Sequence, residues 1–195
     1  RRKNGAWDIE FRGGDGTLSR VLAKALVNAA GPWVEDVISG VVGVNSARRV
    51  RLVKGSHIIV RKFWDGPHAY LLQNHDKRVI FVNPYEDDLC LIGTTDVPYE
   101  GRAEDVSIAT HEIDYLLAAV NRYIKKQLTR TDIIGSFSGV RPLSDDNAAN
   151  PSAVTRDYVF DCDGEPPLLS VFGGKITTYR KLAEHALQRL KPFFP

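Results

Sequence analysis

The sequence contains no methionine and only two cysteines among its 195 residues. It begins with Arg1-Arg2-Lys3 and has no initiator methionine, so we expect either a processed product or a piece of a longer protein. No apolar run that resembles a secretory signal follows these basic residues, so a cleaved signal would leave no trace here. Cys90 and Cys162 form no CxxC pair, which is typical of proteins in a reducing compartment. No stretch approaches the roughly 18 consecutive apolar residues that indicate a membrane-spanning helix.

An excess of charge of one sign is also absent. Lys and Arg number 26 against 24 Asp and Glu, which gives a net charge of +2. Nucleic-acid-binding proteins usually carry a stronger and more clustered positive charge, so no nucleic-acid partner is predicted. The 5 histidines form no HExxH motif and no close cluster with cysteine, so no metal site is predicted. A composition of 43% apolar and 26% charged residues excludes a mainly disordered chain.

The apolar pattern predicts many short strands and a few helices. The predicted strands cover residues 7–11, 18–25, 25–28, 50–61, 69–73, 78–82, 89–93, 131–139, 156–162 and 168–172. Apolar residues spaced by three and four predict one helix from a Thr110 cap to Leu128 and another over residues 179–190. A further helix is expected to begin at Pro32, because proline is favoured at the first helical position.

The order of these elements indicates an α+β fold. Short polar connections within residues 50–93 predict hairpins and an antiparallel meander. A strand, a small-residue turn and a helix precede this block, and a second such unit follows it. This bracketing predicts a nucleotide-type domain that is interrupted by an inserted antiparallel sheet.

The two strand-to-helix turns are candidates for ligand binding. One contains Ala29-Ala30-Gly31, and the other contains Gly173-Gly174 before Lys175. Small residues let a ligand approach the backbone, and helix N-termini favour anions. Ordinary tight turns show the same pattern, so that interpretation stays open. A Walker A motif is excluded, because no Ser or Thr follows Lys175 directly and the first glycine of the motif is missing.

Two arginines and one histidine are candidates for chemistry. Arg141 and Arg156 lie at the ends of predicted strands, and two converging guanidinium groups suit a phosphate. Arg141 could equally form a surface ion pair with Asp145 or Asp146. A histidine side chain ordinarily titrates near neutral pH, so His57 could accept a proton, although a structural role is the commoner outcome for a single histidine.

At these residues the sequence resembles the aerobic, FAD-dependent glycerol-3-phosphate dehydrogenases. The resembling segments occur in the order of the family and cover nearly the whole chain, least closely before residue 20. They are LVNAAGPW (26–33), VKGSHIIV (53–60), IGTTD (92–96), SGVRPL (138–143), TRDY (155–158) and LSVFGGKITTYRKLAEHA (169–186).

The resemblance implies oxidation of sn-glycerol 3-phosphate to dihydroxyacetone phosphate, with FAD as hydride acceptor and a membrane quinone as electron acceptor. It also implies a homodimer that is cytoplasmic and peripheral on the inner face of the cytoplasmic membrane. The fold then becomes an antiparallel-sheet substrate (cap) domain with flanking helices, bracketed by partial Rossmann-like FAD-domain segments. The expected divisions are residues 1–48 and 137–195 for the FAD domain and 49–136 for the substrate domain.

The resemblance further implies roles for single residues. His57, Arg141 and Lys175 are expected at the catalytic centre, with His57 as a proton acceptor. Arg141, Arg156 and Lys175 are expected to bind the substrate. The expected cofactor-binding residues are Ala30, Gly31, Gly173, Gly174, Lys175, Thr177 and Thr178.

One departure from the family pattern concerns the GxGxxG fingerprint of its N-terminal region. The chain has none, since Gly13-Gly14-Asp15-Gly16 has another spacing and lies in a predicted hairpin. We therefore expect an internal fragment, without the fingerprint and the C-terminal domain, that neither retains FAD nor is active alone. Two other functions stay open: a glycerol-3-phosphate oxidase that uses oxygen, and a non-catalytic domain that binds phosphate esters.

Overall fold

A computed structural model describes residues 1–144 and 157–194 of the chain. The chain divides into two compact units, of which the first comprises Arg1–Arg51 and Pro142–Pro195 and the second comprises Leu52–Arg141. The assignment of these parts to an FAD domain and a substrate domain stays a prediction. In the described ranges no helix is both long enough and apolar enough to cross a bilayer.

Short strands and helices follow one another along the chain, which confirms the predicted α+β class. The strands are β1 (Arg2–Lys3), β2 (Ala6–Arg12), β3 (Leu18–Ala23), β4 (Leu26–Asn28), β5 (Val50–Arg61), β6 (Tyr70–Gln73), β7 (Val79–Tyr85), β8 (Leu89–Gly93), β9 (Val97–Pro98), β10 (Ile133–Ser144), β11 (Tyr158–Asp163) and β12 (Leu168–Gly173). The α-helices are α1 (Val34–Asp36), α2 (Thr110–Asn121) and α3 (Tyr179–Leu190). Turns of 3-10 helix lie at Gly31–Trp33, Ala103–Asp105, Arg130–Asp132, Ile176–Thr178 and Lys191–Phe193, and a π-helical segment spans Val37–Val42.

The first unit contains two three-stranded sheets within the described residues. β1, β2 and β3 are antiparallel, and β2 and β3 form the predicted hairpin. In the other sheet β12 lies between β11 and β4, antiparallel to β11 and parallel to β4. β12 is buried from Leu168 to Phe172, which explains why Ser170 is its only polar residue in this range. α3 packs Ala186 and Leu190 against Leu169, and a fully buried leucine contributes about 1.5–3 kcal/mol.

The second unit is a sheet with α2 packed on one face. Its strand order is β10-β5-β8-β7-β6, with β9 paired to β5. The pairs β6–β7 and β7–β8 are antiparallel, which confirms the predicted meander for these three strands. β5 is antiparallel to β8 and does not neighbour β6 in the sheet, so the meander does not extend to β5 as predicted. Apolar side chains of the sheet and of α2 form one core, which includes Ile58, Val60, Ile80, Val82, Ile92, Leu116 and Val120.

α2 is shorter than the apolar spacing predicts. It ends at Asn121 and does not continue to Leu128. The Asn121 side chain donates to the Leu128 carbonyl and accepts from the Leu128 N–H, both at 2.8 Å, so the chain folds back there. Leu128 is still buried and Ile124 still packs on the core, which is why the apolar spacing continues past the helix end.

Other boundaries also differ from the sequence-based predictions, and three of them have an identifiable reason or extend an element clearly. Thr110 is the first residue of α2 and not its cap, because Ala109 occupies the cap position. β7 continues to Tyr85 through residues predicted as a turn, because they pair with β8. β10 continues past the predicted end at Gly139 to Ser144.

Candidate active site

The face of the second-unit sheet away from α2 carries two of the three residues predicted at the catalytic centre. Ile58 is buried beneath α2, so its neighbour His57 points to the opposite face, because side chains alternate along a strand. We call this side the open face and define it by Gly55, His57, Gly93, Phe137 and Arg141.

His57 lies flat on the sheet. It pairs in register with Gly93 of β8, and a Cβ atom at Gly93 would overlap the imidazole ring. The ring stacks on Phe137 with 4.8 Å between centroids and 14° between planes. Its Nδ1 is buried and has no hydrogen-bond partner among the described residues. Burial, and then the positive charge of Arg141, lower the pKa of His57, which favours the neutral form of the imidazole.

Arg141 is held beside His57 by two side-chain acceptors. Its Nη1 donates to Asp96 Oδ1 and its Nη2 donates to Thr94 Oγ1, each at 2.8 Å. A Cβ atom at Gly55 would overlap the guanidinium group, so this glycine lets Arg141 lie close to the sheet. The Arg141 side chain is 30% exposed.

Among the described residues, Asp96, which follows β8, forms an ion pair with Arg141. Asp145 and Asp146, the partners considered from the sequence, lie outside the described residues, and so does the predicted site residue Arg156. Sequence reasoning assigned no role to Thr94 and Asp96, although a run of polar residues directly after a buried strand was a signal for one.

The two strand-to-helix turns lie in the first unit at the same edge of one sheet. β4 and β12 are parallel neighbours, with Asn28 opposite Ser170, so the turns that follow them leave the sheet in the same direction. Asn28 is buried, and its side chain holds the first turn by donating to the Val34 carbonyl at 2.9 Å and accepting from Ala30 N–H at 3.3 Å. In open α/β sheets, ligands bind outside the carboxyl ends of parallel strands.

Glycine is required in the turns for conformational reasons. Gly31, Gly173 and Gly174 have φ angles of 57°, 79° and 99°, which other residues rarely adopt. A Cβ atom at Gly173 would also lie 2.8 Å from the Asp157 carbonyl oxygen. The tight-turn interpretation is thus sufficient to explain Gly173, whether or not a ligand approaches it.

The helical segment after Gly174 begins without a side-chain cap. Lys175 occupies the cap position of the 3-10 turn Ile176–Thr178, and α3 follows directly. Lys175, Thr177 and Thr178 are exposed, and the apolar surfaces of Ile176 and Tyr179 are 85% and 65% exposed. Backbone N–H groups at such a start favour an electronegative partner.

The open face is distinct from the apolar cavity of the second unit. That cavity has a volume of about 360 Å³ and is lined by Phe63, Trp64, Tyr70, Leu72, Val82, Val120, Tyr123, Ile124, Lys125 and Lys126. Leu72, Val82 and Val120 belong to the core beneath α2, so the cavity lies on the other side of the sheet. In the part of the chain that the structure describes, no group of three or more His, Cys, Asp or Glu residues is placed to hold a metal ion.

Comparison with known proteins shows the family to which this chain belongs. Residues 1–180 match the family of FAD dependent oxidoreductases (DAO), and the chain belongs to that family. It is 64% identical over 198 residues to the D-erythritol 1-phosphate dehydrogenase of Brucella abortus, of which it covers 39%. It is 53% identical over 197 residues to the glycerol-3-phosphate dehydrogenase of Pseudomonas aeruginosa, of which it covers 38%. Both matches include 100% of this chain.

A solved structure shows the same fold. The glycerol-3-phosphate dehydrogenase from Bacillus halodurans, complexed with FAD, superposes with a TM-score of 0.76 at 28% identity and covers 98% of this chain and 38% of that one. The chain therefore spans less than half the length of these proteins. The resemblance noted in the sequence is confirmed, and FAD is the cofactor of the family.

The described residues of the first unit fit part of an FAD site. The uncapped start of the helical segment offers backbone donors to an electronegative ring edge, and Ile176 and Tyr179 offer exposed apolar surface beside it. The adjacent carboxyl ends of β4 and β12 provide the kind of sheet edge at which nucleotides bind.

Proposed function

We propose that the chain forms the substrate side and part of the FAD site of a polyol-phosphate dehydrogenase. The full-length enzyme oxidises sn-glycerol 3-phosphate to dihydroxyacetone phosphate. The observation that carries this proposal is the juxtaposition of the His57 imidazole and the Arg141 guanidinium group on the open face. Both His57 and Arg141 lie where glycines make room for them.

The chemistry of alcohol oxidation gives each of these groups a task. Oxidation at C2 removes a hydride from carbon and a proton from the hydroxyl group. FAD, when bound, supplies the acceptor for the hydride. A ring nitrogen of His57 takes the proton, and the lowered pKa of His57 favours the neutral imidazole that this step needs. Arg141 binds the phosphate or stabilises the negative charge that develops on the substrate oxygen.

The remaining predicted residues receive roles from the resemblance. The backbone of Ala30, Gly31, Gly173 and Gly174 and the segment with Thr177 and Thr178 bind FAD. Lys175 is an exposed cation beside the same segment, which suits contact with FAD or substrate. Arg156 is a second cation for the substrate phosphate.

A second candidate substrate is D-erythritol 1-phosphate. The relative named for that substrate is 64% identical to this chain, against 53% for a relative named for glycerol 3-phosphate. The two compounds share a phosphate ester and a secondary alcohol, and erythritol phosphate is longer by one CHOH group. A comparison of kcat/KM for both compounds in the full-length protein separates the two assignments.

We also propose a membrane quinone as the electron acceptor, a peripheral location on the inner face of the cytoplasmic membrane, and a homodimer. These three proposals are supported by the resemblance alone. A full-length protein that reduces a soluble quinone analogue without forming hydrogen peroxide is the expected result. Peroxide formation would instead identify an oxidase.

The experiment that tests the proposed function uses full-length protein with bound FAD in the absence of oxygen. Addition of sn-glycerol 3-phosphate is expected to bleach the visible absorbance of the flavin and to yield dihydroxyacetone phosphate. A non-catalytic phosphate-ester-binding domain would bind the compound, for example by calorimetry, and leave the absorbance unchanged.

A further inference from the structure

A buried carboxylate lies behind the open face. Glu112, in the first turn of α2, is only 1% exposed, which is unusual for a glutamate. A buried carboxylate is costly unless donors surround it, so its partners indicate what it is retained for.

The two oxygens of Glu112 accept four hydrogen bonds. Oε1 accepts from Ser56 Oγ at 2.9 Å and from Thr95 Oγ1 at 2.7 Å. Oε2 accepts from Ala109 N–H at 2.8 Å and pairs with Lys54 Nζ at 2.6 Å. Because a carboxylate offers about four acceptor sites, Glu112 is fully satisfied.

Helix capping explains only one of these four contacts. A glutamate at the third position of a helix commonly accepts from the cap N–H, here that of Ala109, and does so from an exposed position. The contacts to Lys54, Ser56 and Thr95 instead tie α2 to β5 and to the segment after β8. These three contacts involve no backbone N–H group at the N-terminus of α2, so they are not capping interactions.

These contacts lie directly behind the residues of the open face. Ser56 precedes His57 in β5. Thr95 lies between Thr94 and Asp96, the two acceptors of Arg141. Thr95 Oγ1 also accepts from the Ser56 N–H at 2.9 Å, which joins the two segments to each other.

We propose that Glu112 is a positioning residue for the reaction, which fixes the two backbone segments that present His57 and hold Arg141. This inference rests on the proposed function of the open face. Glu112 is on the far side of the sheet from that face and touches neither of the two groups directly. It acts through Ser56 and Thr95.

The charge of Glu112 is maintained by the same contacts. Burial alone would raise its pKa, but Lys54, the Ala109 N–H, Thr95 and Ser56 together hold the pKa below its ordinary value. An ionised Glu112 accepts from both hydroxyl groups at once, so their orientation is fixed.

The test uses full-length protein with bound FAD and three variants. Thr95→Val removes the hydroxyl with little change of shape, Thr95→Ser retains the hydroxyl, and Glu112→Gln retains shape without charge. Asp114→Asn is the matched control, because Asp114 lies on the same helix in an exposed ion pair with Arg130. The readouts are flavin content, melting temperature, kcat, KM and the pH dependence of kcat.

Thr95→Val and Glu112→Gln are expected to lower kcat about ten- to a hundredfold, more than they raise KM, because a small misplacement of a reacting group has effects of this size. Flavin content is expected to stay unchanged, and the apparent pKa of the kcat profile is expected to shift. Thr95→Ser and Asp114→Asn are expected to remain within about threefold of the wild type. If Glu112→Gln fails to fold, the comparison of Thr95→Val with Thr95→Ser decides.

Failure of this proposal is distinguishable from failure of the proposed function. If the wild type is active and the kcat of Thr95→Val lies within twofold of the wild-type kcat, the positioning role alone is overturned. It is also overturned if Thr95→Ser loses as much kcat as Thr95→Val. If no polyol phosphate reduces the bound flavin of the wild type, the proposed function is overturned. In that case the titration of the His57 imidazole, followed by NMR and assigned with His57→Gln, tests the positioning role. A titration midpoint that shifts in Thr95→Val and returns in Thr95→Ser supports this role. An unchanged midpoint in Thr95→Val overturns it.

Discussion

Two glycines determine where the polar side chains of the open face can lie. Gly55 and Gly93 leave space over the sheet that the guanidinium group of Arg141 and the imidazole of His57 occupy. Any larger residue at these positions would push the side chain away from the sheet. The imidazole and the guanidinium group thus lie where they do because Gly55 and Gly93 have no side chain.

Gly93→Ala tests this placement. The new Cβ atom overlaps the His57 ring, so the ring must leave its stack on Phe137, and kcat/KM for the polyol phosphate is expected to fall about ten- to a hundredfold. Gly135→Ala in β10 is the control, because its Cβ would lie 3.7 Å from Ile59 Cδ1, an ordinary contact. Equal kinetics for both variants and the wild type would contradict the role given to Gly93.

The lowered pKa of Glu112 predicts a pH dependence of stability. A group whose folded-state pKa lies below its ordinary value of 4.5 stabilises the fold fully above that pH and loses this effect as the pH falls through the folded-state pKa. We therefore expect the melting temperature of the wild type to decrease more than that of Glu112→Gln when the pH is lowered from about 5 to about 3. Parallel curves for the two proteins would show that Glu112 has no such coupling.

Single residues were predictable from the sequence where a motif carries them. His57, Arg141 and the glycine turns lie in segments with recognisable residue order. Thr94, Asp96 and Glu112 were not assigned, because their contacts join residues distant in sequence: Arg141 bonds to acceptors 45 and 47 positions earlier. No local pattern encodes such a pairing, and Ala109 at the cap position removes even the usual capping signal before Glu112.

At the scale of elements, the apolar spacing located the elements well and their ends poorly. The helix predicted to reach Leu128 ends at Asn121, because a side chain satisfies backbone groups that a longer helix would pair internally. The parallel pairing of β4 with β12 was not predicted either. The two strands lie at opposite ends of the sequence, and only the fold makes them neighbours.

Asn121→Ala tests the origin of the helix end. The variant loses both hydrogen bonds to Leu128, each worth about 0.5–1.5 kcal/mol, and leaves the N–H and carbonyl of Leu128 without these partners. We expect the free energy of unfolding to fall by about 1–3 kcal/mol, measured by urea denaturation. Gln127→Ala, which removes two bonds from a more exposed side chain, should have a smaller effect. An unchanged stability of Asn121→Ala would contradict this account.

At the scale of the whole molecule, element order predicted an antiparallel sheet between two strand-turn-helix units. The structure contains those elements, in two compact units with boundaries at residues 51/52 and 141/142. The 195 residues do not contain the GxGxxG fingerprint that binds the pyrophosphate of FAD.

We therefore expect the isolated 195-residue chain not to retain FAD. For the described residues of the first unit, the fit to FAD involves an edge of the ring system and a sheet edge, and the sequence contains no GxGxxG motif to hold the phosphates. The visible absorbance spectrum of the purified chain, after incubation with FAD and gel filtration, measures this directly. Flavin bound at near-stoichiometric occupancy would show that the described residues suffice.

The central claim is that the open face binds and oxidises a polyol phosphate through Arg141 and His57. Its most direct test is the anaerobic reduction of bound flavin by sn-glycerol 3-phosphate in full-length wild type, Arg141→Ala and the surface control Arg130→Ala. We predict that the wild type and Arg130→Ala are reduced at similar rates, and that Arg141→Ala retains FAD but loses about a hundredfold or more in kcat/KM. Reduction of Arg141→Ala within twofold of the wild-type rate would contradict the claim.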